Sequence, residues 1–279
     1  MVVADLKDIE QVRNIPFAPP FFVKPLSEGT GKGITAGSVI GMDYPIDYST
    51  TGMDCSIKTG NINKAAGNIR KTEVQACGPS LEKALFLLTQ RCTQLLEEFK
   101  QPVLVEKFLP GREFTVGIAG TGKDARVLGT MEILLLEQAE KGVYSFVNKE
   151  DWKKRVAYRP LISASPKTAL SPASPISSVK STSPKIPANE KTPPAVDSLV
   201  FEVEKLALES WKVLECRDGG RIDIRCDENG IPCFIEVNPL AGLRPGYSDL
   251  PVLCSFFNIS YLELIRLILD SASKRIHKE

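Results

Sequence analysis

Two carboxylates and one amide in the C-terminal third of the chain form a pattern suited to a divalent cation. Glu236 and Asn238 are two residues apart in a strand-like segment, so their side chains point to the same face. Asp223 lies in the preceding strand-like segment, across a turn at 227–230 (DENG) that is typical of a hairpin. Carboxylate and amide oxygens are ligands that Mg²⁺ takes, usually together with substrate phosphates. An exposed, charged hairpin face is the alternative; the apolar neighbours of Glu236 favour the metal, because carboxylates without partners are costly in such surroundings.

A glycine-rich loop in residues 22–34 (FVKPLSEGTGKGI) is a candidate phosphate site. Lys24 ends a strand-like stretch, and the loop that follows holds three glycines and Thr30. Glycines let backbone N–H groups approach an anion closely, and lysines add positive charge. The loop lacks the G-x-x-x-x-G-K-[ST] spacing of a P-loop. A phosphate site and a solvated surface turn both stay open on this motif alone.

Residues 103–116 (VLVEKFLPGREFTV) read as a strand, a short connector and a second strand. A connector of this kind can offer backbone groups to the edge of an adenine, and Glu113 could bind ribose hydroxyls. An ordinary strand–turn–strand with surface charges fits the same residues.

Composition excludes several classes of function. The 35 basic and 34 acidic residues of this 279-residue chain give a net charge of +1, which argues against a nucleic-acid surface. The only histidine is His277, so imidazole catalysis and histidine-ligated zinc are not expected. The apolar runs are too short to span a bilayer, and the N-terminus does not resemble a signal peptide. Seven cysteines without a C-x-x-C pair indicate reduced thiols. We expect a cytoplasmic protein that binds neither nucleic acid nor membrane.

Periodicity predicts mixed helices and paired strands, and hence an α+β layered architecture. The last helix opens on a capping box at 260–263, and the helix at 197–214 is expected to be capped by Asp197 or Ser198. The predicted elements are a helix at 80–100 with Ser80 as N-cap, a strand at 102–106, paired strands at 113–119 and 126–136, the helix at 197–214 and a hairpin of 221–226 with 232–237.

Two stretches interrupt this pattern. Residues 163–195 are rich in Ser and Pro and have no aromatic residue, so they are expected to be disordered. Residues 41–79 are polar and aperiodic, which is typical of a functional flap or an insertion.

In their order along the chain, the three motifs resemble those of the ATP-grasp ligases, and most closely the D-alanine–D-alanine ligase family. The segments 236–243 (EVNPLAGL), 247–251 (YSDLP) and 144–149 (YSFVNK) strengthen the resemblance, which covers residues 15–41, 80–160 and 197–275. It implies an ATP-grasp fold in which two α+β subdomains sandwich the nucleotide. Residues 1–108 would be a partial central subdomain with an insert at 42–78, and residues 109–279 the C-terminal subdomain with the metal site and the disordered insert.

The resemblance also implies site residues. Lys24 and Lys149 would contact the phosphates of ATP, under a loop containing Thr30. Glu106, Lys107 and Leu109 would border adenine, and Glu113 would bind ribose. Asp223, Glu236 and Asn238 would hold Mg²⁺ or Mn²⁺. Arg221 and the Gly242 N–H would stabilise charge on the reacting carboxyl, and Ser248 would bind the carboxylate of the second amino acid.

The implied activity is the ATP-dependent joining of two amino acids for peptidoglycan biosynthesis. ATP would phosphorylate one carboxylate, and the amine of the second amino acid would attack the acyl phosphate, giving a dipeptide, ADP and phosphate. Positioning and electrostatic stabilisation carry such chemistry, so the lack of catalytic histidine is no obstacle.

The chain departs from the family pattern at its start and at one loop position. Family members carry an N-terminal domain, whereas 23 residues precede Lys24 here. We therefore expect part of the substrate site to come from a homodimer partner or from a second chain. Ala241 stands where the family often has proline. A ligase for another amino acid or carboxylate, and a catalytically incomplete ATP-binding remnant acting as an interaction protein, remain alternatives.

Overall fold

The computed structural model describes residues 1–29, 31–42, 81–139, 152–164 and 195–276. The chain divides into two compact units. The first comprises Met1–Phe108 with Gln138–Trp152, and the second comprises Leu109–Glu137 with Lys153–Glu279. Thr30 and Lys149, the predicted insert at 42–78 from residue 43 onward, and the Ser80 cap lie outside the described residues.

A four-stranded antiparallel sheet forms the first unit, in the order β1-β4-β2-β3. Two short 3-10 helices, Leu6–Asn14 and Ala36–Ser38, accompany it. Its main elements are β1 (Val2–Val3), β2 (Phe21–Pro25), β3 (Val39–Ile40), α1 (Leu81–Phe99) and β4 (Val103–Lys107).

Alternation along β2 decides which side chains of the first unit are buried. Phe21 and Val23 point into the core, where they pack with apolar residues of α1 such as Leu88 and Leu95. Phe22 and Lys24 therefore point to the opposite face, since successive side chains of a strand alternate.

A six-stranded sheet forms most of the second unit, in the order β10-β9-β5-β6-β7-β8. All neighbours are antiparallel except β7 and β8. The elements are β5 (Glu113–Ala119), a 3-10 turn (Gly122–Asp124), β6 (Arg126–Leu135), α2 (Trp152–Arg155), β7 (Val156–Ser163), β8 (Ala195–Asp197), α3 (Val200–Val213), β9 (Gly219–Cys226), β10 (Pro232–Asn238), α4 (Asp249–Phe256) and α5 (Tyr261–Ile276).

The two faces of this sheet have different roles. One face buries Phe114, Ile222 and Ile224 against α3, whose Trp211 is fully buried. On the other face Gly117 allows α4 to approach, since a Cβ there would lie 2.9 Å from Leu253 Cδ2. The same face carries the polar side chains described below.

Two sequence expectations at the ends of the Ser/Pro-rich stretch are wrong. Asp197 does not cap α3: it ends β8, its Oδ1 accepts from Leu199 N at 2.9 Å, and the N-cap position is Leu199, without a side-chain cap. Ser163 and Ala195, the ends of the stretch expected to be disordered, lie in the parallel strands β7 and β8. Residues 165–194 lie outside the described residues.

The other described elements agree with the sequence pattern to within a few residues. Within the capping box, Ser260 Oγ accepts from Glu263 N at 3.2 Å. Among the described helices none alone is long and apolar enough to cross a membrane; α4 and α5 meet that criterion only when joined across their 112° bend, by length and composition.

A cluster of four charged residues, Glu132, Arg112, Arg159 and Asp197, connects β8 to the rest of the sheet through ion pairs. Glu132 is 3% exposed, Arg112 Nε contacts its Oε1 at 2.7 Å, and Arg159 also donates to it. Arg112 Nη2 reaches Asp197 Oδ2 at 2.8 Å. Burial alone would raise the pKa of Glu132, but hydrogen bonds and charges from both arginines outweigh it and lower the pKa. The Arg112 hydrogen bond likewise lowers the pKa of Asp197.

Replacing Glu132 by Gln should lower the free energy of unfolding by about 2–4 kcal/mol at pH 7, because Arg112 and Arg159 lose the buried carboxylate with which they pair. A lowered folded-state pKa stabilises the fold above the ordinary carboxyl pKa of about 4, and this contribution disappears as the pH falls through the folded-state pKa. The difference in the free energy of unfolding between wild type and Glu132→Gln, measured with urea, should therefore disappear in acid.

The exposed pair Arg266–Asp270 provides the control. Asp270→Asn should change the free energy of unfolding by no more than about 0.5 kcal/mol at any of these pH values. A Glu132→Gln effect as small as that would contradict the role given to the cluster.

Candidate active site

The three predicted metal ligands converge on one face of the second unit. Glu236 lies opposite Asp223 in the β9–β10 pair, and Asn238 lies opposite Arg221. Asn238 Nδ2 donates to Asp223 Oδ2 at 3.1 Å and to Glu236 Oε1 at 3.4 Å. The two carboxylates therefore face a common point beside the amide group.

This donor set fits Mg²⁺. The ion binds hard oxygen ligands and usually keeps water or substrate phosphates in part of its coordination shell. Within the described ranges no group of three or more His, Cys, Asp or Glu side chains could hold a metal by itself. Two carboxylates and one amide are thus the groups that this face offers, and substrate phosphates or water would have to complete the coordination shell.

Strand β5 supplies a further support that the sequence did not reveal. Thr115 Oγ1 donates to Asp223 Oδ1 at 2.9 Å, and Thr115 itself is buried. Thr115 lies opposite Asp223 across the β5–β9 pair. Both oxygens of Asp223 are thus oriented by neighbouring strands, as second-layer hydrogen bonds orient metal ligands.

Arg221 links this cluster to the start of α4. Its Nη2 lies 3.5 Å from Asp223 Oδ2, and its Nη1 forms an ion pair with Asp249. Tyr158 OH donates to Asp249 Oδ1 at 3.0 Å. The YSDLP motif contains Asp249, but the sequence gives no sign that Tyr158 lies beside it. The packing of α4 on the sheet that includes β7 brings the two residues together.

The loop before α4 brings Gly242 against Ser248. Ser248 Oγ accepts from Arg244 N at 3.2 Å, and Ser248 N donates to Arg244 O at 2.9 Å. A Cβ on Gly242 would lie 2.7 Å from Ser248 Oγ. A side chain at position 242 would therefore displace the Ser248 hydroxyl, which glycine leaves in place.

Glu113, the predicted ribose ligand, lies on the same face and pairs with a residue that the sequence analysis did not single out. Its Oε2 is 3.2 Å from Arg225 Nη1, and the two residues are register partners in β5 and β9. Both side chains are largely buried. Leu109, the first residue of this unit, is half-buried.

Lys24 and Glu106 lie together in the first unit. Lys24 Nζ is 3.1 Å from Glu106 Oε2 and 5.9 Å from the centre of the Phe22 ring. The β2–β4 register places Phe22 opposite Glu106, which brings the lysine and the carboxylate onto one face. Lys107 ends β4 and is exposed.

Two fully buried thiols are unsuited to nucleophilic catalysis. Burial raises the pKa of Cys92 and of Cys254 to about 12, so each stays protonated at neutral pH. Burial also raises the pKa of Cys216 and Cys226.

Comparison with solved structures identifies the fold. The VanG D-Ala:D-Ser ligase of Enterococcus faecalis superposes with a TM-score of 0.51 at 16% identity, over 97% of this chain and 55% of that chain. The D-alanine–D-alanine ligase of Coxiella burnetii gives a TM-score of 0.50 at 11% identity, over 99% and 52% of the two chains. The chain has the ATP-grasp fold of these ligases, as predicted.

Sequence comparison finds that the chain is similar to D-alanine–D-alanine ligases. A family model described as D-ala D-ala ligase C-terminus matches residues 187–270. The D-alanine–D-alanine ligase of Bordetella petrii is 28% identical over 180 residues, covering 64% of this chain and 44% of that protein. The enzyme of that name from Clostridium botulinum is 41% identical over 75 residues, 27% of this chain and 25% of that protein. The resemblance to D-alanine–D-alanine ligases is confirmed, and the chain spans less than half the length of either relative.

Gly242→Ala should push the new Cβ into Ser248 and break the Arg244 N–H to Ser248 Oγ hydrogen bond. Hydrogen exchange should then accelerate at the Arg244 amide, while the free energy of unfolding changes by less than about 0.5 kcal/mol because the loop is exposed.

The clashing atoms are Ser248 Oγ and Cβ, which permits a matched test. In a Ser248→Gly background the added methyl group meets neither atom, so Gly242→Ala should no longer change exchange in this loop. An equal effect in both backgrounds would show that the close approach is not the cause.

Proposed function

We propose that this chain provides the ATP- and Mg²⁺-binding part of a carboxylate–amine ligase that joins two amino acids, of the D-alanine–D-alanine ligase type. The observation that carries the proposal is the convergence of Asp223, Glu236 and Asn238 on one sheet face, with Arg221 beside them. The relatives named above supply the reaction class.

On this proposal each polar group has a definite task. Asp223, Glu236 and Asn238 would hold Mg²⁺, which neutralises phosphate charge when it is bound. Lys24 and Lys149 would bind phosphate oxygens, with Thr30 in the loop over them. Main-chain groups near Glu106, Lys107 and Leu109 would receive adenine, and Glu113 the ribose hydroxyls.

The acyl-transfer half of the reaction would use the Arg221 and Gly242 region. Transfer of the γ-phosphoryl group to one amino acid gives an acyl phosphate, and the amine of the second displaces phosphate from it. The negative charge that develops on the attacked carbonyl oxygen would be stabilised by the Arg221 guanidinium and the Gly242 N–H. Ser248, adjacent to Gly242, would bind the carboxylate of the second amino acid.

Arg221 would stabilise the attacked carbonyl oxygen while its guanidinium is ion-paired to two carboxylates. A guanidinium carries five N–H donors in a fixed plane, so pairs with Asp223 and Asp249 orient it and leave donor positions for a substrate oxygen. We therefore assign Asp249 and Tyr158 to the orientation of Arg221.

We further propose that the enzyme works in the cytoplasm on small amino acids, with neither nucleic acid nor membrane as partner. A second copy of this chain, as a homodimer, or another chain is the partner that we propose.

The double substitution Asp223→Asn with Glu236→Gln should weaken MgATP binding, measured by calorimetry, by at least about tenfold, because the metal loses both anionic ligands. Free ATP measured with EDTA should bind the variant and wild type with similar affinity. The fold should persist, since both substitutions keep the side-chain shape.

Glu202→Gln with Glu209→Gln is the matched control, since both carboxylates are exposed on α3. It should bind MgATP as wild type does. Wild-type affinity in the Asp223/Glu236 double variant would disprove the metal assignment. MgATP binding without ADP release in the presence of amino acids would instead favour an ATP-binding interaction protein.

A further inference from the structure

Arg91 is a buried cation in α1 whose contacts are unusual for its charge. The residue is 4% exposed, and its guanidinium donates to Gln94 Oε1 at 2.7 Å and to Gly33 O at 3.1 Å. Among the described residues no carboxylate lies within ion-pair distance of it. Burial lowers its pKa, against a weaker opposing effect of Glu98. Buried charges are normally paired, so this arginine is retained at a cost to stability.

The carbonyl that Arg91 contacts ends the glycine-rich loop. Gly33 has φ +80°, and a Cβ there would lie 2.5 Å from Pro25 Cγ, so only glycine fits this turn. Arg91 Nη2 also lies 3.5 Å from Thr35 Oγ1, and Ser38 Oγ lies 3.5 Å from the Gly33 carbonyl oxygen. These contacts turn that oxygen toward the interior of the unit.

The first residues of the same loop are hydrogen-bonded to residues that directly follow α1. Gln101, two residues after α1 ends, accepts from Ser27 N at 2.7 Å and donates to Glu28 Oε1 at 2.9 Å. Leu26 N donates to Pro102 O at 2.9 Å. Both ends of the loop are therefore fastened to α1 or to the residues directly after it.

We propose that Arg91 is a positioning residue for the phosphate-binding loop, holding its Gly33 end in place and adding positive charge behind it, while Gln101 holds the Ser27 end. The inference rests on the proposed function, since it assigns phosphate to this loop. The ligand class is the polyphosphate of a nucleoside triphosphate.

Three physical effects make this arrangement favourable for an anion. A carbonyl oxygen directed inward is kept from facing phosphate oxygens, which it would repel. A guanidinium behind the loop, in a region of low dielectric and with no described carboxylate within ion-pair distance, raises the potential that a phosphate meets there. A tethered loop also loses less conformational entropy when the ligand binds.

Arg91→Met is the decisive variant, because it keeps much of the side-chain volume and removes the charge and the hydrogen bonds. MgATP affinity should fall roughly tenfold or more, as expected when charged hydrogen bonds are lost. Adenosine, which has no phosphates, should bind the variant as it binds wild type. The melting temperature without ligand should change little, because removal of an unpaired buried charge offsets the hydrogen bonds lost to Gly33 and Gln94.

Three comparisons complete the experiment. Arg91→Lys, which keeps the charge, should lose less MgATP affinity than Arg91→Met. Gln101→Leu, which releases the other end of the loop, should also weaken MgATP binding and spare adenosine. Arg266→Met, at an exposed position in the second unit, should bind both ligands as wild type does.

The outcomes separate this inference from the proposed function. Failure of wild type to bind MgATP would overturn both. Wild-type MgATP affinity in Arg91→Met, or a parallel loss of MgATP and adenosine binding, would overturn the role of Arg91 alone. In the second case the arginine would be structural.

Discussion

The candidate site depends on the register between β9 and β10. Phe234 pairs with Ile224, but the next pair is Glu236 with Asp223, so Ile235 is an extra residue in a β-bulge. Because side chains alternate along a strand, regular pairing beyond Phe234 would place Glu236 on the face that packs against α3. The bulge moves Glu236 and Asn238 to the face of Asp223, which is how bulges redirect side chains beside functional sites.

One part of this sheet face packs against α4, and another part carries the polar residues of the candidate site. Gly117 and Gly129 lack the side chains that would collide with Leu253 and Phe257, so α4 and the residue directly after it pack on one part of the face. Arg221, opposite Gly117, reaches Asp249 at the start of α4 and Asp223 in its own strand. One ion-paired arginine thus connects the packing of α4 with the orientation of the carboxylates that we propose as metal ligands.

Much of this was accessible from the sequence, because hairpin turns and two-residue spacing are local signals. The DENG turn and the Glu236–Asn238 spacing predicted the shared face, and the order of motifs predicted the ATP-grasp fold. The apolar neighbours of Glu236 support a metal less than the sequence pattern suggests, since β10 lies at the edge of the described sheet and Phe234 is 40% exposed. Thr115, Tyr158 and Arg91 could not be predicted, because sheet order and helix packing bring them to their partners.

The central claim is that this chain carries a working ATP and metal site of a ligase. The most direct test is ADP release by the purified full chain with MgATP, measured with and without D-alanine and with a mixed amino-acid pool. The account predicts release that depends on an amino acid and disappears in Asp223→Asn with Glu236→Gln. Folded protein that binds MgATP but releases no ADP with any amino acid, alone or as a homodimer, would contradict ligase activity of this chain.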